Sequence, residues 1–218
     1  MALNYFNQYF VTGALLILSF LIFAVGATLP LVGAKGNAGI YTLPEREQLL
    51  AIAGNSGAWR WCNILLGAAA VVLLAGLSML TTQLESVKEL TFSRLGLIGM
   101  LLAVIIWVIF SAYRFAVMTR AAQDLTASGS PGAIPAYYEP LAQWGSALFY
   151  IYAVIGFLAL AVYGCALLLS GLLPAWSGWA TVIFSVAMLI LLFIQGDTLP
   201  VFHYVPGLLM GVLLLFHE

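Results

Sequence analysis

The chain has 218 residues, of which 64% are hydrophobic and only 7% are charged, and its mean hydropathy is +1.09. Soluble globular domains carry about 25% charged residues, so water cannot be the solvent for most of this surface. The net charge of −1 leaves no basic patch, and no nucleic-acid partner is predicted. The lipid bilayer is the partner that the composition predicts.

Six apolar segments organise the chain. A hydrocarbon core of about 30 Å needs about 20 apolar residues per helix. The segments that meet this length are Gln8–Leu31, Arg60–Thr82, Leu95–Met118, Trp144–Gly171, Ala175–Ile194 and roughly Leu199–Phe216. They lack the alternation of apolar and polar residues that strands of a membrane barrel need. Because backbone polar groups need partners inside lipid, the sequence predicts an all-α polytopic bundle of six spans, forming one domain over residues 1–218.

The connections between these segments differ in length. The first, Val32–Trp59, and the third, Thr119–Gln143, are long, whereas Gln83–Arg94 is short and the last two are tight turns. With six helices, the odd-numbered connections share one membrane face, so the two longer loops are expected to meet there. In the first loop, Leu43–Ala53 opens with Pro44 and is acidic in its first turn, which predicts a short surface helix.

The orientation in the membrane stays open. Five basic residues belong to the long-loop face and two to the opposite face; they are Lys35, Arg46, Arg60, Arg114 and Arg120 against Lys88 and Arg94. The positive-inside rule then favours cytoplasmic long loops. If Arg60 and Arg114 are structural, however, three residues remain against two, and the difference decides nothing.

Five polar residues are predicted to lie at a similar depth near the long-loop face, and we call them the polar layer: Arg60, Arg114, Glu139, Asp197 and His203. An ionisable group within the membrane is a candidate functional residue, because a charge in hydrocarbon costs at least about 3 kcal/mol. We favour the other interpretation, in which the arginines snorkel to the interface or pair with Glu139 and Asp197 to tie helices together. If Arg114 pairs, one of these two acids is its expected partner.

His203 lies in the last apolar segment, and histidine is a common haem and metal ligand. A bis-histidine haem needs two imidazoles at one depth, but His217 lies 14 residues further along the same segment, about 21 Å away. No HExxH or CxxC arrangement indicates a metal site, and Lys35 and Lys88 lie in connections, where they cannot form a retinal Schiff base. The sequence thus identifies no catalytic residue and leaves the cofactor unknown. A hydrogen-bonded packing role is favoured for His203 over ligand contact or proton transfer.

Small residues indicate where helices touch. Gly207 and Gly211 form a GxxxG face on the sixth segment, which permits close backbone approach. Most such pairs pack helices within one chain, and an intermolecular role is the alternative. The fifth segment, Ala175–Ile194, has few polar residues on any side, so we expect it to be the most exposed to lipid or to a partner.

Four short motifs at the predicted membrane interfaces carry a resemblance; they are Trp59-Arg60-Trp61, Tyr138-Glu139-Pro140-Leu141, the stretch 172–179 (LLPAWSGW) and the stretch 196–200 (GDTLP). With them the chain resembles a broad group of uncharacterised multi-pass prokaryotic integral membrane proteins that carry a domain of unknown function. The resemblance implies a location in the prokaryotic cytoplasmic membrane and brings no established activity.

The sequence favours a non-enzymatic role, since it shows no catalytic or cofactor constellation. We expect an accessory or scaffold subunit of a larger membrane assembly, with protein partners there, that holds lipid, quinone or pigment on its apolar surface. The alternative is a small-molecule transporter or binding protein whose pocket opens at the long-loop face and uses the polar layer. A third option is an intramembrane enzyme in which His203 and Asp197 act as an acid and base pair.

Overall fold

The computed structural model describes the backbone of residues 2–31, 40–87, 90–127 and 133–216, and the side chains within these ranges except those of 2–7, 85–87 and 90. These residues are mostly helical and include no strand. Their α-helices are α1 (Ala2–Thr28), α2 (Glu45–Gly54), α3 (Ser56–Val87), α4 (Leu90–Tyr113), α5 (Thr119–Thr126), α6 (Tyr138–Ser170), α7 (Ala175–Gln195) and α8 (Tyr204–Leu215).

Within the described ranges, five helical segments are long and apolar enough to cross a membrane; they are Gln8–Leu31, Ser56–Leu84, Thr91–Thr126, Tyr138–Ser170 and Ala175–Gln195. A shorter apolar helix, Pro200–Leu215, follows them. It begins as a 3₁₀ turn over Pro200–His203 and continues as α8. The predicted all-α bundle of about six spans is therefore confirmed.

Helical structure extends further into the third connection than the sequence predicts. A π turn over Arg114–Met118 joins α4 directly to α5, so the helix continues to Thr126. At the other end of the connection, α6 begins at Tyr138 rather than at Trp144. Pro140 does not prevent this, because N–H groups in the first helical turn have no partner within the helix.

Neighbouring spans follow the order α7, α6, α4, α3, α1, α8 across the bundle. The main core lies where α1, α3, α4 and α6 meet, and Trp107 of α4 is fully buried in it. The Trp107 indole donates to the carbonyl oxygen of Leu66 at 3.0 Å, and its ring lies 4.5 Å from the ring of Tyr152. This residue thus links three spans through one hydrogen bond and one ring contact.

The GxxxG pair of the last span packs within the chain. A Cβ atom placed on Gly211 would lie 2.9 Å from the carbonyl oxygen of Gly13 in α1. One placed on Gly207 would lie 2.8 Å from a methyl carbon of Leu73 in α3. Both glycines therefore let α8 approach its neighbours more closely than any larger residue would allow.

Gly164 lets α6 and α7 approach each other closely in the same way, and we expect Gly164→Ala to weaken their packing. Its new methyl carbon would lie 2.9 Å from the carbonyl oxygen of Gly178, so α7 must shift. Detergent titration of the purified protein should show a loss of about 1–3 kcal/mol in unfolding free energy. The matched control is Gly67→Ala in α3, where the nearest neighbour is 3.9 Å away and a gain of about 0.5–1 kcal/mol is expected. Equal effects would contradict the close approach.

The two longer connections meet, as predicted. The expected surface helix at Leu43–Ala53 is α2 (Glu45–Gly54), and α2 packs against α5 of the third connection. We call α2, α5 and the residues packed between them the cap. Its buried side chains form a second core, composed of Ile40, Leu49, Ile52, Trp59, Tyr113, Met118, Ala121, Ala122, Leu125 and Tyr138.

The helix α7 is the most exposed of the five long spans. Only 28% of its most apolar window is buried, a smaller share than in any other of these spans. It packs on α6 and only lightly on α8. The prediction that the segment Ala175–Ile194 is the most exposed to lipid or to a partner agrees with this placement.

Candidate functional site

Arg114 lies at the start of the π turn, where α4 enters the cap. Single π turns inside α-helices are frequent at functional sites. The Trp59 indole of α3 donates to the carbonyl oxygen of Arg114 at 3.0 Å. One side chain of α3 therefore secures the backbone at the point where the geometry of α4 changes.

Three aromatic rings surround the Arg114 side chain, and we call them the arginine cage: Tyr41, Trp59 and Phe110. The guanidinium carbon lies 4.5 Å from the ring centroid of Trp59 and 5.6 Å from those of Tyr41 and Phe110. Only 8% of the Arg114 residue is exposed. A desolvated cation gains about 2 kcal/mol or more from an aromatic face. Ring faces thus take the place of much of the water around this cation.

Tyr41 connects the cage to the end of α1. Its hydroxyl donates to the carbonyl oxygen of Ala27 at 2.9 Å and lies 3.5 Å from the sulfur of Cys62. Burial raises the pKa of the Tyr41 phenol, so its hydroxyl keeps the proton that it donates. The cage therefore joins α1, α3, α4 and the first connection.

The acids expected beside Arg114 lie elsewhere. Glu139 is exposed in the first turn of α6, and Asp197 is exposed after α7. The Asp197 carboxylate accepts a hydrogen bond from the backbone N–H of Thr198 at 2.7 Å. Among the residues that the structure describes, no ion pair joins Arg114 to either acid. The structure brings Arg114 to aromatic rings, and not to Glu139 or Asp197.

Arg60 is exposed near the beginning of α3 and directly follows Trp59, a residue of the second core. Its guanidinium carbon lies 5.7 Å from the ring centroid of Phe115, in the π turn of α4. The neighbouring Trp61 is also exposed. An arginine beside an exposed tryptophan is typical of the interface between the lipid tails and the headgroups.

His203 is buried inside the bundle, with 1% of the residue exposed. Its imidazole stacks on Phe157 at 3.8 Å between ring centroids and lies 4.5 Å from the ring of Tyr152. The Nε2 atom is 3.4 Å from the carbonyl oxygen of Ala153. These contacts hold the 3₁₀ turn at the start of the last span against α6 through an aromatic stack.

The polar layer is thus divided among separate environments. Arg114 packs against Trp59 of the second core and His203 against Phe157 of the main core, while Arg60, Glu139 and Asp197 are exposed. In the part of the chain that the structure describes, no three His, Cys, Asp or Glu side chains are grouped for a metal ion. The arguments from His217, Lys35 and Lys88 concern residues outside the described ranges.

Comparison with known proteins adds no relative. No protein-family model matches the chain, and neither the curated proteins nor the solved structures contain a match to it. The resemblance to uncharacterised prokaryotic membrane proteins therefore stays an expectation. The length and composition of the helices identify an integral membrane protein.

Proposed function

We propose that the protein is an accessory or scaffold subunit of a larger membrane assembly, which it contacts through α7, and that its other apolar faces hold lipid, quinone or pigment. The exposed face of α7 is the observation that carries this proposal. Large apolar side chains follow its full length; they are Trp176, Trp179, Ile183, Val186, Ile190 and Phe193.

The two faces of α7 differ in the size of their side chains. The face toward the bundle carries small residues, among them Gly178, Thr181 and Ser185, and these allow close packing on α6. The outward residues are spaced alternately by three and four positions, which is the spacing of a seam between two helices crossing at a shallow angle. In lipid, association depends on how well side chains interlock, and a continuous ridge offers this to a partner helix.

The buried polar groups support a structural role. The guanidinium of Arg114 contacts rings of the chain itself, and the imidazole of His203 stacks within the core. The alternative, a transporter or binding protein with a pocket at the long-loop face, needs the polar layer to converge on one ligand. It has less support, because Arg60, Glu139 and Asp197 are exposed at separate places.

Photo-crosslinking in native membranes tests the proposed contact. We expect a photoreactive phenylalanine analogue at Ile183, in the middle of the α7 ridge, to form a discrete adduct with one partner protein. The matched control is the same analogue at Ile105, which is exposed in the middle of α4. Adducts that are absent at Ile183, or identical at both positions, would refute the α7 interface.

Purification of the protein from native membranes tests the rest of the proposal. In mild detergent the protein is expected to co-purify with its partner in fixed stoichiometry. Mass spectrometry and an absorption spectrum of this material then report bound lipid, quinone or pigment. A protein that purifies alone and transports or binds a soluble small molecule would favour the alternative.

A further inference from the structure

A groove open to the bilayer lies between the outer faces of α3 and α4, just inside the cap. Its volume is about 380 Å³, which falls in the range of small ligand pockets. Asn63, Gly67 and Val71 line it from α3, and Ser111 and Phe115 line it from α4. The groove exists because Gly67 has no side chain to fill the space facing Ser111, whose Cβ is 3.9 Å from the position of an added methyl.

The groove runs along the helices rather than across them. Its α3 wall extends from Asn63 to Val71, which corresponds to about 12 Å along the helix axis. Because α3 is a membrane span that starts at the cap, the groove leads from the interface toward the hydrocarbon. An acyl chain lying beside α3 would follow this direction.

Asn63 lines the groove with a buried side chain. Only 2% of this residue is exposed, and its amide nitrogen donates to the carbonyl oxygen of Trp59 at 2.7 Å. That bond fixes the orientation of the amide and leaves Oδ1 without a partner among the described residues. The same oxygen has almost no accessible surface, so an occupant of the groove does not contact it.

A cation lies at the mouth of the groove. Phe115 lines the groove, and the Arg60 guanidinium lies over its ring at 5.7 Å. Within the described ranges no carboxylate forms an ion pair with Arg60. A guanidinium presents paired N–H groups that match the oxygens of a phosphate. The mouth therefore suits an anionic headgroup, and the interior suits a hydrocarbon chain.

We propose that this groove binds one anionic phospholipid. Its phosphate binds the guanidinium of Arg60, and one acyl chain lies against Gly67 and Val71. This site makes the lipid-holding part of the proposed function specific and rests on it. It lies on α3 and α4, whereas the proposed protein interface lies on α7, so the two can be tested separately.

Native mass spectrometry of the purified full chain, titrated with phosphatidylglycerol or phosphatidylcholine, tests the proposal. The wild type is expected to bind one phosphatidylglycerol in preference to phosphatidylcholine. Arg60→Gln should lower the phosphatidylglycerol affinity about tenfold, because it removes a charge-assisted contact. Arg120→Gln is the matched control, since it removes one positive charge from the same membrane face outside the groove. Equal losses for both variants would overturn the phosphate assignment.

Two further variants test the groove itself. Gly67→Leu fills the groove and should abolish the bound phosphatidylglycerol, whereas Gly57→Leu, where nothing lies within 4 Å of an added Cβ, should retain it. Retention of the lipid by Gly67→Leu would overturn the proposal.

The Ile183 crosslink distinguishes failure of this site from failure of the proposed subunit role. Arg60→Gln and Gly67→Leu should keep the adduct at Ile183, because α7 packs on α6 and α8. If the adduct forms but no lipid preference is found, the lipid site fails alone. If the lipid preference is found without an adduct, the partner interface fails and the lipid site stands.

Discussion

Trp59→Leu is expected to lower the unfolding free energy by about 3 kcal/mol or more, because a fully buried tryptophan is lost. Two specific contacts disappear with its volume: the N–H donor to the carbonyl oxygen of Arg114, and the ring nearest to the guanidinium. Detergent titration of the purified protein measures the loss, and limited proteolysis of the first connection shows whether the cap opens.

The control for this substitution is Trp59→Phe. It keeps an aromatic ring in the cage but removes the indole N–H and some side-chain volume. A smaller loss of unfolding free energy, about 1 kcal/mol, is therefore expected. A Trp59→Leu variant as stable as Trp59→Phe would mean that the ring contributes nothing to holding Arg114. The assignment of the cage as the anchor of the cap would then be wrong.

His203→Ala is expected to destabilise the bundle by about 3 kcal/mol, since it leaves a cavity among aromatic rings in the core. The imidazole is stacked on Phe157 and lies close to Tyr152, so two ring contacts between the start of the last span and α6 are lost together. The unfolding free energy in detergent is again the measurement.

His203→Phe separates stacking from polar interactions. It conserves the ring and most of the volume, and a cost below about 1.5 kcal/mol is expected. If His203→Phe is as destabilising as His203→Ala, the polar atoms of the imidazole matter more than its packing. A proton-transfer or ligand role for His203 would then regain support.

The spans could be predicted from the sequence because apolar length decides them, whereas the ends of the helices could not. Residues 119–126 are polar enough to resemble a loop, yet they form α5. Two local features favour the helix: Arg120 and Asp124 form an ion pair at 3.0 Å across one turn, and Ala121 and Ala122 are strong helix formers that α2 buries. Continuity with α4 through the π turn and packing against α2 keep these eight residues helical.

That Arg114 lies beside the long connections could be predicted, but its neighbours could not. Charge complementarity pointed to Glu139 and Asp197, because opposite charges are the partners that a sequence shows most clearly. Phe110 lies four residues before Arg114, which is a helical spacing that places two side chains on one face. Tyr41 comes from a distant connection, and no local pattern indicates that it reaches the cage.

The groove between α3 and α4 also depends on three-dimensional packing. Asn63 near the start of a span resembles an ordinary interfacial residue in the sequence. Its unsatisfied oxygen follows from the bond of its amide nitrogen to Trp59, and the space beside it follows from Gly67 facing Ser111. The bond lies within α3, but the space beside Gly67 requires the register between α3 and α4, which the sequence does not provide.

A double-mutant cycle between Arg114→Met and Trp59→Leu tests most directly whether the aromatic cage holds the buried arginine. Replacing Trp59 removes the indole bond to the backbone carbonyl whether residue 114 is arginine or methionine. This loss therefore cancels, and the coupling energy reports the contact of the Trp59 ring with the guanidinium. We predict a favourable coupling of about 2 kcal/mol. Additivity of the two substitutions within about 0.5 kcal/mol would contradict the cage and the structural role given to Arg114.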